Sequence, residues 1–184
     1  MFYSKKLKKL KKLKHCFFSR KKGFSNGIYK SLNCGKGSKD NKNNINKNLS
    51  FVAKTMAVKR DKLVLMHQTH SNKVIEIKKN NYRKKIIADA MITKMKDLAI
   101  CVLTADCVPI IVYDSRSEII GCIHAGWKGA FYGIIDNTIK KIKKLSSNNK
   151  IYSAVGPCIG EKSYEVDDKF VKIKEKSGLI WENL

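Results

Sequence analysis

Acidic residues, arginines and long apolar runs are all scarce in this 184-residue chain, and each shortage removes a class of function. No apolar stretch approaches the roughly 18 residues that would cross a bilayer. The longest, Ile119 to Ala125, is interrupted by Cys122 and His124, so the sequence reads as soluble, with no transmembrane segment. Only 15 Asp and Glu face 39 Lys and Arg, for a net charge of +24. The first 39 residues carry 13 of those basic residues and no acid; the remaining 145 carry 26 basic and 15 acidic. Arginine occurs only at positions 20, 60, 83 and 116. Sequence-specific base readout leans on guanidinium forks, so no specific nucleic-acid partner is expected, and general attraction to polyanions is. The start of the chain lacks the apolar core and small-residue cleavage site of a secretory signal. Six dispersed cysteines, several inside apolar segments, then read as reduced thiols of a cytoplasmic protein rather than as a disulfide framework.

Residues 1–14 form a basic, Lys-rich segment in which Leu7, Leu10 and Leu13 recur among seven lysines. A short amphipathic helix is one reading, and a solvated tail is preferred. Residues 15–184 are taken as one domain. His15 to Phe18 reads as a short strand, and Ser19 to Asp40 as a loop. The asparagine-dense stretch from Asn41 to Asn48 leads into a helix whose apolar face is Leu49, Val52, Ala53 and Met56. Strands are expected over 62–66, 73–77, 98–103, 109–113, 119–123 and 151–155, with a lysine-rich connection leading to residues 88–92. One helix is expected from Gly126 through Ile142, and a final one over 167–176. No internal repeat is present. The alternation implies an α/β or α+β fold, a central mixed β-sheet with packed helices.

The chemistry concentrates between Leu103 and Gly129. Cys107 lies just beyond one apolar run, and His124 ends another. His67 and His70 are three residues apart, so in extended chain they face opposite ways; His70, in the turn, is the better candidate to join them. One thiolate and two imidazoles suit zinc, and three protein ligands leave a fourth position open, as a catalytic site requires. The plain alternative is a buried thiol and ordinary loop histidines. Gly126-Trp127-Lys128-Gly129 could open a helix whose N–H groups and lysine attract phosphate, with Trp127 stacking on a base or packing on the sheet. Asp89 and Asp106 are candidates for proton transfer, for orienting a histidine, or for plain turn-forming roles. Gly156 to Gly160 reads as a shaped turn at the rim, with Cys158 structural rather than a further ligand.

Several segments carry a resemblance: His15-Cys-Phe-Phe-Ser-Arg20, Ser31-Leu-Asn33, His67-Gln-Thr-His70, Ala88-Asp-Ala90, Thr104-Ala-Asp-Cys-Val-Pro109, His124-Ala-Gly-Trp-Lys-Gly129, and Gly156-Pro-Cys-Ile-Gly160 with Tyr164-Glu-Val166. In this order the chain resembles the YfiH/laccase-domain family, formerly called multicopper polyphenol oxidase and more recently purine nucleoside phosphorylase. The resemblance implies a zinc site of His70, Cys107 and His124. It implies phosphorolysis of adenosine, inosine and S-methyl-5'-thioadenosine, with adenosine deamination as a second activity. Arg20, Asn33, Trp127 and Lys128 become candidates for holding nucleoside and phosphate, and Asp89 and Asp106 for catalysis. Copper is disfavoured, because a multicopper centre needs many histidines and this chain has four.

The chain departs from the family pattern at Lys21-Lys22-Gly23, where glycines are usual, at Leu49, which replaces an arginine, and at Lys128, where arginine is common. Family members also continue beyond the position of Leu184 through a strand–helix–strand segment, so the C-terminal part of the domain is expected to be absent. Two other readings remain beside the enzyme of nucleoside metabolism. One is an amidase editing a peptidoglycan precursor; the other is an inactive fragment or a non-enzymatic protein that binds polyanions through residues 5–14.

Overall fold

Apolar, buried or half-buried runs produce seven strands among the described residues, and the antiparallel pairing of four of them sets the frame. The structure is a computed structural model and describes residues 1–146 and 150–166. The strands are β1 (Leu63–Leu65), β2 (Val74–Glu76), β3 (Ala90–Thr93), β4 (Ala99–Cys101), β5 (Val108–Asp114), β6 (Ile119–Ala125) and β7 (Ile151–Val155). Five form a mixed sheet in the order β2-β3-β6-β5-β7, parallel between β2 and β3 and antiparallel elsewhere; β1 and β4 pair in parallel as a second, two-stranded sheet.

Helices close the faces. The helix α1 spans Lys5–Lys8, α2 spans Lys42–Thr55, α3 spans Trp127–Phe131 and α4 spans Ile134–Leu145. Successive strand residues point to opposite faces, so Ala90 and Ile92 pack with Ile123, Ile134 and Ile142 beneath α4, while Met91 joins Val64, Met66 and Leu98 on the other side. Ile45, Leu49, Val52 and Ala53, spaced at i, i+4, i+7 and i+8, seat α2 on Leu63 and Ala99 of the small sheet. The layers therefore run α4, large sheet, small sheet, α2.

Four expectations change. His15 to Phe18 is not a strand; only Phe17 pairs, in an isolated bridge with Phe2. The asparagine stretch belongs to α2 itself, with the Asn41 side chain capping Asn43 and Asn44 and the Asn48 side chain wholly buried. Asn48 accepts from Phe24 N–H and donates to Ser25 Oγ and to the carbonyls of Ser31 and Asn33, so it organises the loop before it. The helix expected from Gly126 is two helices, because Gly133 adopts a left-handed φ of 79° at the start of α4. Finally, the first 14 residues are not a solvated tail. Leu7 is fully buried, α1 lies against β7, Ser4 N–H donates to His15 Nε2 at 2.9 Å, and Lys12 pairs with Glu118. The apolar Leu7 needs a cover that water does not supply, and α1 finds it on the sheet edge. The helix expected over 167–176 lies outside the described residues.

All six cysteines are free thiols, and no described helix is long and apolar enough to cross a membrane. Leu7→Ala should cost about 2–4 kcal/mol in urea unfolding, whereas Lys8→Ala, on the exposed side of the same turn, should cost almost nothing. Equal, negligible effects would refute the docking of α1.

Candidate metal centre

Strand register brings distant residues to one end of the large sheet. Val108 pairs with Ala125 and Pro109 with His124, so Cys107, one residue before β5, lies beside the end of β6. Ala90 pairs with Ile123, and His124 N–H donates to Asp89 O at 2.7 Å, which puts Asp89 at the same end. Val74 pairs with Ala90, so the 69–73 turn arrives there as well. Gly156 N–H bonds Pro109 O, and Ile159 N–H bonds Asp106 O, which folds the turn after β7 against the Cys107 loop.

The result is a cluster of His70, Cys107 and His124 whose candidate ligand atoms all lie within 4.8 Å of one another. Cys107 Sγ is 3.7 Å from His70 Nε2, and the two imidazoles meet edge-on with centroids 4.8 Å apart. Zinc–ligand bonds of about 2.0–2.3 Å in a tetrahedron place neighbouring donor atoms about 3.3–3.6 Å apart, so small inward shifts would complete the site. His124 is buried, Cys107 half-buried and His70 exposed, which leaves the open side toward solvent. Burial and the charges of Asp106 and Asp89 push the Cys107 thiol up, so an incoming metal must displace its proton.

Asp89 holds the cluster in place. Its carboxylate accepts from the backbone N–H groups of Thr69, His70 and Ser71, from both hydroxyls of Thr69 and Ser71, and from His124 Nδ1 at 2.8 Å. The bond at Nδ1 leaves His124 Nε2 as the ligand atom. Burial raises the Asp89 carboxyl, but these donors, Ser71 and His124 foremost, outweigh it and bring the pKa to about 2. A buried carboxylate with every oxygen engaged orients the histidines; it is not positioned to carry a proton. His70 meets the same hub in a left-handed turn, φ 57°. Thr69 and Ser71 escaped the sequence reading; the only signal was a run of small hydroxyl residues around the histidine.

Gly126 was read for its helix start, yet its role is space. A Cβ there would sit 2.5 Å from His70 Cδ2 and 3.1 Å from Cys107 Sγ. The following helix, α3, has only five residues, so little dipole accumulates for an anion. Trp127 is half-buried and Lys128 exposed, its Nζ 5.3 Å from the Trp127 ring centre. Arg20 is anchored through Nε to Lys30 O, and Asn33 is engaged with Ser38, Asp40 and Gly35, so neither bonds to the cluster. His67 faces a separate cleft, and Cys158 is exposed and outside the cluster.

A family model described as multi-copper polyphenol oxidoreductase laccase matches residues 14–179. A purine nucleoside phosphorylase of Bacteroides thetaiotaomicron is 30% identical over 176 residues, which cover 90% of this chain and 65% of that one. A purine nucleoside phosphorylase of Rickettsia conorii is 38% identical over 122 residues, covering 64% and 48%. Among solved structures, YfiH of Bacillus licheniformis superposes with a TM-score of 0.80 at 27% identity, over 88% of this chain and 64% of that one. YlmD of Geobacillus stearothermophilus gives 0.79 at 25%, over 90% and 65%. The chain thus spans between about half and two thirds of the length of these relatives.

Asp89→Asn should lower metal affinity about 10–100-fold, measured by competition with a chromophoric chelator, because an amide presents donors to the N–H groups of the turn. Gly126→Ala should weaken binding at least as much with little change in melting temperature; unaltered affinity would mean that His70 is not a ligand.

Proposed function

The chain belongs to the multi-copper polyphenol oxidoreductase laccase family, and on that premise we propose that it is a zinc-dependent purine nucleoside phosphorylase rather than an oxidase. The observation that carries the reading is the cluster of one thiol and two imidazoles found among the described residues, with one imidazole fixed by a buried carboxylate. That donor set suits a four-coordinate zinc with one open position. The relatives' names support purine nucleosides and phosphate as substrates.

Zinc bound there would supply Lewis-acid polarisation and lower the pKa of water, which suits adenosine deamination as a second activity. The protein's own groups do the rest. His124, held through Nδ1, keeps Nε2 for the metal, and Gly126 leaves room for the His70 imidazole and the Cys107 thiol to approach. Trp127, next in sequence, offers a face for the purine. Lys128 adds a point charge for phosphate near that ring, and Arg20, with Nε spoken for, keeps its terminal nitrogens for the same purpose. We assign proton exchange with substrate to Asp106, which is exposed on the Cys107 loop.

The test is metal content of the purified chain together with release of free base from adenosine, inosine and S-methyl-5'-thioadenosine in phosphate buffer. Stoichiometric zinc, turnover, and at least a 100-fold loss in Cys107→Ala with the fold intact are expected. Ammonia release from adenosine without phosphate reports deamination separately. Bound copper with an intense thiolate charge-transfer band, or turnover indifferent to Cys107→Ala, would overturn the proposal.

A further inference from the structure

A cleft lies away from the cluster just described. It encloses about 780 Å³, and none of His70, Cys107 or His124 lines it. Three separate segments meet there: the glycine loop around Lys36, the turn at Arg60, and the stretch from Arg83 to Lys85. Five cations face one carboxylate, Asp61, and Arg83 takes that carboxylate at 3.0 Å. Lys36, Arg60, Lys84 and Lys85 form no ion pair among the described residues. Arg60 lies close enough to Cys34 for its charge to offset part of the burial that pushes that thiol up to about 11.

In a chain so rich in lysine, a cluster of lysines alone would mean little. Arginine is different: there are four in the whole sequence, and two of them border this one cleft. The guanidinium fork matches phosphate oxygens as an ammonium does not. Leu63, Leu65, Met66 and Ile86 form an apolar floor, which strengthens the field of the surrounding cations. The N–H groups of Lys36 and Gly37, on the open lip, donate to no described group. A single phosphate cannot neutralise cations on three segments, whereas a chain of two or three linked phosphates can.

We propose that this cleft is a binding site for a small oligophosphate, either free or carried on a nucleotide, separate from the metal centre. It depends on Arg60 and Arg83 for recognition and on Lys36, Lys84 and Lys85 for charge. Its other wall carries His67 and Gln68, and Gln68 joins the loop of His70 to Leu103 by two hydrogen bonds of 2.7 and 2.8 Å. The site is therefore next to the metal centre along the chain without sharing its ligands.

The experiment is calorimetric titration of the full chain, near physiological salt, with tripolyphosphate, pyrophosphate, ATP and sulfate. Linked phosphates also chelate metals, so the titrations are repeated on Cys107→Ala. One-to-one binding of tripolyphosphate at least tenfold tighter than sulfate is expected, and it should persist in Cys107→Ala. Arg60→Gln with Arg83→Gln should weaken it at least tenfold. Lys84→Gln with Lys85→Gln, both exposed and harmless to folding, should do so about fivefold. Lys5→Gln with Lys9→Gln, a matched loss of charge on α1, should leave it unchanged. ATP binding tighter than tripolyphosphate would identify the nucleotide as the carrier, and equal binding would identify the phosphate chain alone; both uphold the site. Equal weakening by the α1 variant, affinity no better than sulfate, or loss in Cys107→Ala would overturn it.

Discussion

Burying an ionised carboxylate costs several kcal/mol unless donors replace the water it loses, and the geometry of the His70–Cys107–His124 cluster depends on how Asp89 meets that demand. Three consecutive backbone N–H groups can converge on one carboxylate only if the chain curls around it, and that curl is the turn carrying His70. The same carboxylate accepts a hydrogen bond from His124 Nδ1, so one buried charge fixes the backbone of one candidate ligand and the ring of another. Its stability and the geometry of the site are then one problem: a partner lost from Asp89 leaves charge unsatisfied and a ligand free to rotate. The left-handed backbone of His70 fits this account, since strain at a non-glycine residue persists only where surrounding bonds enforce it.

The sheet supplies what the carboxylate cannot. Antiparallel register between β5 and β6 places Cys107 beside His124 although 17 positions separate them in sequence. Gln68 supplies the second tie: with both ends of its amide on the Leu103 backbone, it holds the His70 turn to the segment that leads into Cys107. Hydrophobic packing under α4 keeps the strands in register, and hydrogen bonds at their ends convert that register into ligand positions. No segment carries the site alone, and each is rigid for a different reason.

How much of this was legible in the sequence follows from the same physics. Strand and helix positions were visible where the apolar pattern marks them, as period 3.6 does over Leu49–Met56 and continuous apolar runs do in β5 and β6, but the asparagine-rich first half of α2 carries no such mark beyond Ile45. Cys107, His124 and His70 were visible as residue types able to bind a metal, placed next to turns. What stayed hidden was long-range or steric. The burial of Asn48 depends on four partners in a preceding loop, and nothing local announces them. Leu7 reads as one apolar residue among lysines until a sheet edge is found for it. Gly126 does start α3, as expected, but its contact distance to an imidazole and a thiol left no mark in the pattern. The oxidase name attached to the family and the phosphorylase names of its members could not be weighed from pattern alone.

Ligand arithmetic bears on that last tension. Moving several electrons to oxygen requires several copper ions and a correspondingly large set of imidazoles. This chain has four histidines, and two are committed elsewhere: His15 accepts from the backbone of Ser4, and His67 faces the basic cleft. The remaining two, with Cys107, make one centre. Two imidazoles and a thiolate can hold a single copper as well as zinc, so the donor types alone do not choose between them. A blue-copper site closes its coordination with a weak, long axial ligand; an exposed His70 on a cluster open to solvent favours the exchangeable position of the zinc proposed above. A solvent-facing cluster beside the half-buried Trp127 and the exposed Lys128 suits binding a substrate better than carrying electrons.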